Sequence, residues 1–261
     1  MTVSTAAMLV IGDEILSGRT QDTNSNYVAR QLTSLGIDLK EVRVVGDDED
    51  EIVAALNALR SRYDFVFTTG GIGPTHDDIT ADAVAKAFGV GIGYHPEAYA
   101  ALEARYEKGQ FNDARKRMAR IPDGGALIKN SASVAPGFQV GNVFVMAGVP
   151  MVMRAMMEEI VTRLPRGETV KSVTVSADLP EGAIAQGLSD IQKAFPQTAI
   201  GSYPWYRDGR FGAQLVARSR DAEAVEAAAK AIEAMIVELG AVPERVVAAI
   251  GPAPSAVGCQ G

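Results

Sequence analysis

The sequence predicts an α/β protein, a mostly parallel sheet with helices on its faces, followed by a small α+β lobe. Three observations carry this reading. From Ala6 to Thr69, apolar runs of strand length alternate with stretches whose apolar residues recur at helical spacing, and the connections are short. Such a βαβαβ series implies parallel strands joined by right-handed crossovers. The rhythm then changes after "LPRGET", where strands begin to follow one another directly. With 261 residues, 47% hydrophobic and 22% charged, the chain can bury a sizeable core without disulfide staples.

The elements follow in order. "AAMLVIG" is a compact apolar run ending in Gly12, the pattern of a strand buried on both faces. A helix is expected from about Thr23, because Val28, Leu32 and Leu35 share a face and Gly36 stands at a C-cap. "LKEVRVVG" is the second strand; Ile52, Leu56 and Leu59 mark the second helix; Asp64 to Thr69 is the third strand. Ala81, Val84 and Phe88 form the stripe of a helix that Thr80 could cap and Gly89 could end. One longer helical region is expected from about Pro96 to Ala119, closing in "RKRMAR". "GFQVGNVFVMAG" gives two strands around a turn at Gly141-Asn142, and Pro150 opens the helix "PMVMRAMMEEIVTRL".

These elements assign a first domain to residues 1–165. The lobe, residues 170–245, reads as strand Val170 to Val175, helix Glu181 to Phe195, strands Ala199 to Tyr203 and Phe211 to Arg218, and helix Ala222 to Leu239. The tail, residues 251–261, is rich in Pro, Gly, Ser and Ala and is expected to be disordered.

Charge and cysteine content narrow the function. A formal charge of −7 argues against a broad surface that tracks the phosphates of long nucleic acid, although backbone amides can still hold a small anion. The single cysteine, Cys259, excludes a disulfide framework and a thiolate metal cage. Ala6 to Ile11 is too short to span a membrane, and no basic segment precedes it. A cytoplasmic protein is expected.

The densest chemistry lies in "TTGGIGPTHDDIT", Thr68 to Thr80, between the third strand and the next helix. Gly70, Gly71 and Gly73 let the backbone turn sharply and approach a ligand, and Pro74 fixes the path of the chain. Free amides and the helix start near Thr80 suit a phosphate, with Thr69 and Thr75 beside them. Asp77 and Asp78 either cap the helix or share a cation with that phosphate. Mg²⁺ commonly takes one or two carboxylates and completes its shell with water and phosphate oxygens. Asp13, Asp47 and Asp48 end the first two strands, at the carboxyl edge where open α/β sheets bind ligands. Asp13-Glu14 could equally be a solvated turn. His76 reads as a polar loop residue. "RKRMAR" reads as a solvated helix face, or as one from which Arg117 or Arg120 reaches phosphate. Met153, Met156 and Met157 read as core.

Taken with "VIGDEILSGRTQDTNSNYVARQLTSLGI", "VVGDDEDEI", "NDARKRMARIPDGG", "NSASVAPGF" and "MAGVP", this loop resembles the molybdopterin-binding family of the MoaB/Mog type. The likeness is greatest to the N-terminal domain of CinA-type competence/damage-inducible proteins. It covers residues 5 to about 165. The resemblance implies a three-layer αβα domain, a pterin-phosphate or nucleotide site, Mg²⁺ or another divalent cation, and a homo-oligomer, a dimer or trimer. By matching motif it assigns Gly70, Gly71, Gly73 and Pro74 to the phosphate loop, and Asp78 and Asp47 or Asp48 to the acidic positions. Asp13, Asn24, Asn130, Pro136 and Gly137 match further lining positions, and Gly12 borders the same site from the end of the first strand.

Two departures stand out. After "GVP", where CinA-type proteins carry serine and glutamate, this chain has Met151 and Val152. The amidohydrolase domain that many full-length CinA-type proteins append does not follow, and its activity on a pyridine nucleotide is expected to be absent. The expected function is therefore Mg²⁺-dependent binding of a phosphorylated, molybdopterin-like pterin or an adenine nucleotide, with weak or absent turnover. The alternative is a metal-dependent pyrophosphatase acting on ADP-ribose or FAD, with Asp78 or Asp47 orienting water.

Overall fold

The computed structural model describes residues 3–207 and 209–246; the tail expected to be disordered, 251–261, lies outside the described residues. The chain divides after Thr169 into two units.

In the first unit, strand β1 (Thr5–Ile11) is buried from Ala6 onward, because its residues alternate between two cores. Ala7, Leu9 and Ile11 face one core with Ile52, Leu56 and Val84. Ala6, Met8 and Val10 face the other with Val28, Leu32, Met153 and Ile160. Period-two alternation across a sheet thus builds three layers. Helix α1 (Asp13–Leu16) is a single turn and α2 (Asn24–Ser34) a full helix; β2 (Asp38–Val45), α3 (Glu49–Arg60) and β3 (Phe65–Thr69) complete the parallel series.

Beyond it come α4 (Thr80–Phe88), β4 (Ile92–Tyr94), α5 (Pro96–Arg105), α6 (Asp113–Arg117), β5 (Arg120–Pro122), β6 (Ala126–Ile128), β7 (Gly137–Val140), β8 (Val143–Met146) and α7 (Pro150–Arg163). The main sheet has the order β2-β1-β3-β8-β7-β6. Its pairs from β2 to β8 are parallel, and β7 and β6 add antiparallel strands. β4 and β5 form a separate two-stranded ribbon.

Asp64 ties the start of the sheet together. Its carboxylate accepts from the Thr5 amide at 2.7 Å and the Thr5 hydroxyl at 2.8 Å. The amide, then the hydroxyl, hold the Asp64 carboxyl below its usual range.

Two expectations are corrected. The helical region from Pro96 to Ala119 is broken between Arg105 and Asp113. Gly109 there takes φ 86°, and the Asn112 side chain accepts from the Arg115 amide to start α6 anew. Thr80 does not cap α4 either; it is the first helical residue, buried, and Ile79 holds the cap position without a side-chain hydrogen bond. Gly89 does end α4, in the left-handed region at φ 66°.

The second unit holds β9 (Lys171–Ala177), α8 (Glu181–Ala194), β10 (Ala199–Arg207), β11 (Arg210–Ser219), α9 (Ala222–Glu238) and β12 (Glu244–Val246). Its sheet is antiparallel in the order β10-β11-β9-β12, a βαββαβ arrangement. Val175, Leu215 and Ala217 pack against Ile184 of α8 and Ile232 of α9. β12 is too short for a periodic signal; Arg245 fixes it by pairing with Glu226 and Glu233 of α9. Among the described residues no helix is long and apolar enough to cross a membrane.

Candidate functional site

The glycine turn after β3 is shaped by its neighbours. Gly70 (φ 103°) lies so close to β1 that a Cβ would stand 2.0 Å from the Ile11 carbonyl oxygen, and at Gly71 (φ 66°) a Cβ would meet the Thr80 hydroxyl at 2.2 Å. Only glycine fits both positions. The Gly70 amide donates to the Met146 carbonyl of β8 at 3.2 Å. Thr80 ties back both carbonyls of the turn: its hydroxyl donates to Gly70 O at 2.9 Å and its amide to Gly71 O at 3.0 Å. The amides of Gly71, Ile72 and Gly73 donate to no acceptor among the described residues.

These residues line a cleft of about 490 Å³, together with Asp78, Glu14 and Thr20. Its far wall is apolar, made by Val149, Val152 and Met156. Where CinA-type sequences place glutamate, Val152 therefore faces the cleft, while Met151 is exposed. A larger cleft of about 960 Å³ lies beneath α5 and α6, bordered by Arg105, Arg115, Lys129 and Asn130. Met118, Ser133 and Ala135 border both.

The acidic residues are distributed unequally. Asp78 stays at the cleft, where its carboxylate accepts from the Thr75 amide at 2.7 Å and also from the Thr75 hydroxyl. Arg117 donates to the Asp78 carbonyl at 3.2 Å, and its Nε is buried with no partner among the described residues. Arg120 is spent in a bidentate pair with Asp82, at 2.6 and 3.0 Å.

Asp13 and Asp47 clasp each other's strand ends. The Asp13 amide donates to the Asp47 carboxylate at 3.0 Å, and the Asp13 carboxylate covers Gly46 so closely that a Cβ there would meet it at 2.5 Å. Asp48 accepts from the Glu51 amide at 3.0 Å as the N-cap of α3. Among the described residues no three His, Cys, Asp or Glu side chains gather closely enough to cage a metal ion, so Asp47, Asp48 and Asp78 do not share one centre. A cation at this cleft would have Asp78 as one protein ligand and would depend on ligand oxygens for the rest.

The remaining residues fall into three groups. Asn24 and Thr69 line a recess of about 60 Å³ that shares Glu14, Thr20, Gly148 and Pro150 with the cleft. Asn130 and Pro136 border the larger cleft; Asn130 Nδ2 donates to Ala135 O at 3.0 Å, and its Oδ1 accepts from the Ser133 amide at 2.5 Å. Gly137 is buried in β7, where a Cβ would stand 2.3 Å from Val145 O, so its missing side chain serves the strand pairing. Gly12 adopts φ 153° beside the Glu14 carboxylate. Pro74 and His76 are exposed on the loop, His76 with a side chain 99% accessible. Glu14, Thr20 and Ser133 are polar cleft residues that sequence reasoning did not name as site residues. Asp13 drew attention as the first carboxylate after β1, but the turn of α1 rotates successive side chains apart and places Glu14 on the cleft.

Residues 7–166 match the family described as "Probable molybdopterin binding domain". The chain belongs to that family. Residues 169–245 match a second description, "FAD synthase, middle domain". Among similar proteins, one from Archaeoglobus fulgidus is 34% identical over 230 residues, covering 88% of this chain and 96% of its own. A "Probable FAD synthase" of Caenorhabditis briggsae is 32% identical over 259 residues, covering 89% of this chain and 50% of its own. The chain thus spans half the length of that relative. Among solved structures, the protein CinA of Thermoplasma acidophilum, described as of unknown function, is 33% identical with a TM-score of 0.59; the match covers 62% of this chain and 98% of the other.

Proposed function

We propose that the glycine cleft binds the phosphate of a small heterocyclic ligand, a phosphorylated pterin or an adenine nucleotide, and turns it over slowly or not at all. The observation that carries this reading is the run of free amides at Gly71, Ile72 and Gly73, left as the available polar groups because Thr80 holds the neighbouring carbonyls. Consecutive amides in a positive-φ turn are a nest for an anion. The α4 N-terminus adds its partial positive charge. Membership of a molybdopterin-binding family supports the pterin, and similarity to probable FAD synthases supports a nucleotide.

Mg²⁺ belongs to the same proposal. Asp78 would be its protein ligand, with the rest of its shell left to water and the bound ligand. The Mg²⁺ supplies charge neutralisation and, in the hydrolytic alternative, Lewis acidity. Within the chain, the loop amides hold the anion and the Val149–Val152 wall excludes water from one side of it. Arg117 steadies the loop through the Asp78 carbonyl.

The alternative, hydrolysis of a phosphoanhydride in ADP-ribose or FAD, has one observation in its favour: two carboxylates, Glu14 and Asp78, line the cleft. Either could orient a water. Calorimetric titration of a pterin phosphate and of AMP, with and without Mg²⁺, tests binding. A hydrolysis assay on ADP-ribose and FAD with Mg²⁺, Co²⁺ or Ni²⁺ tests turnover. Rapid hydrolysis would overturn the binding reading in favour of the enzymatic one.

A further inference from the structure

The sheet of the second unit has two unlike faces. One packs against α8 and α9, where Val175, Leu215 and Ala217 are buried. Strand alternation turns Tyr203, Trp205, Arg207 and Arg218 to the opposite face. Two rings there lie against glycines. Trp205 covers Gly212, its cross-strand partner, so closely that a Cβ would stand 2.2 Å from the ring, and a Cβ at Gly201 would stand 3.3 Å from the Tyr203 ring. A ring laid on bare backbone has one side packed and the other turned to solvent; Tyr203 is 48% exposed. Arg207 stands 5.5 Å from the centre of the Trp205 ring, and Arg218 donates to the Tyr203 hydroxyl oxygen at 2.9 Å. Neither arginine meets a carboxylate among the described residues. Arg210, across from Arg207, forms an exposed pair with Asp178 at 3.5 Å. The register of β9 adds Ser172, Thr174 and Ser176 to the same face.

We propose that this face binds single-stranded RNA, with successive bases stacked on Trp205 and Tyr203 and their phosphates met by Arg207 and Arg218. Residues two apart on a strand are about 7 Å apart, so each ring serves its own base. A four-stranded sheet with aromatic residues on its open face is a general way to hold two or three bases, and stacking accepts any base because each has a π-face. Charge complementarity points to a polyanion. The carboxylates Glu181, Glu223, Glu226 and Glu233 belong to the helices, whereas Arg207 and Arg218 lie on the sheet face; Glu244, on β12, stands at the far edge. The hydroxyl row of β9 suits a 2′-hydroxyl, which donates and accepts, and favours RNA over DNA. The overall charge of −7 confines the contact to a short strand. Pro204 takes a donor from the edge strand β10, which discourages the addition of another strand there. A lipid surface fits less well, because Arg207 and Arg210 stand nearer the turn than Tyr206 and Phe211, and charge would have to enter first.

Trp205 is the single tryptophan of the chain, so its fluorescence reads the site directly. Titration of the full chain with oligouridine RNA is expected to quench that fluorescence and, in parallel, to raise the anisotropy of a labelled strand. The salt dependence should be shallow, with a log–log slope on the order of −1.4 for two phosphate contacts on a single strand. Arg207→Gln, at an exposed position, is expected to weaken binding about threefold and to flatten the slope by about 0.7. Trp205→Ala would also uncover Gly212, so Tyr203→Leu, which keeps an apolar cover on Gly201, carries the stacking test; a loss of about tenfold is expected. No RNA binding by protein that still melts as a folded chain, or binding without quenching, would overturn the proposal. Displacement of the RNA by inorganic pyrophosphate would overturn it too, by moving the contact to the glycine loop. Equally tight binding of polyglutamate or of phosphatidylserine vesicles would make the face a protein or a lipid surface instead, and equal binding of oligothymidine DNA would overturn the selection of RNA.

Discussion

The Thr80 hydroxyl donates to the Gly70 carbonyl at 2.9 Å, joining the first residue of α4 to the turn ten residues before it. Both groups are buried. Thr80→Val is expected to leave that carbonyl unpaired and to lower stability by about 1–3 kcal/mol. Ligand affinity should fall as well, since the turn loses the tie that holds its carbonyls back. Thermal unfolding and calorimetry of the same variant check the two effects.

Gly70→Ala puts a Cβ 2.0 Å from the Ile11 carbonyl oxygen at φ 103°. Strain of this backbone kind costs about 1–3 kcal/mol, and the clash adds to it. The expected outcome is a loss of at least about 3 kcal/mol in denaturant unfolding. The same change at Gly109, which has positive φ and open space around it, should incur the φ strain alone.

Asp78→Ala is expected to weaken Mg²⁺-dependent ligand binding more than tenfold, a loss above about 1.4 kcal/mol. The accompanying fall in melting temperature should be small, because the hydrogen bonds it removes come from Thr75 on an exposed loop. Unchanged affinity with a clearly lower melting temperature would make Asp78 a loop brace only.

Val152→Glu places a carboxylate on the apolar wall of the cleft. If that wall is what keeps turnover low, the variant should hydrolyse ADP-ribose or FAD faster with little change in affinity. A group acting only in the transition state alters rate rather than ground-state binding. Steady-state assay of both proteins reads the difference.

Asp64 sets an acid limit. Its native carboxyl binds a proton more weakly than the unfolded one, because the Thr5 amide and hydroxyl favour the charged form. Its stabilisation is therefore complete above the unfolded pKa, about 4, and is lost as pH falls through the native value. Asp64→Asn should flatten that part of the stability profile below about pH 4, as read from melting temperature against pH.

The sequence made the parallel core legible because helical spacing at Val28, Leu32, Ile52 and Leu56 and the unbroken run of β1 each report burial directly. It concealed the break between α5 and α6, since a Gly inside a polar stretch leaves no apolar pattern to interrupt. Strands of three residues, such as β4 and β12, are shorter than any period that could reveal them. At the site, the glycines were legible through their backbone requirement. The carboxylates were not, because the roles of Asp47, Asp48 and Glu14 depend on which neighbour each side chain meets. Asp48 as a cap and Glu14 as a cleft residue are decided by one turn of helix apiece.

The contact between Gly70 and Ile11 has a kinetic meaning. A turn pressed against β1, bonded to β8 and tied to α4 has no room to close over a ligand, so its amides stand ready before the encounter. Little ordering entropy remains to be lost at the loop on association. Variants around this turn should then differ mainly in how long a ligand stays, with dissociation rates spreading far more widely than association rates.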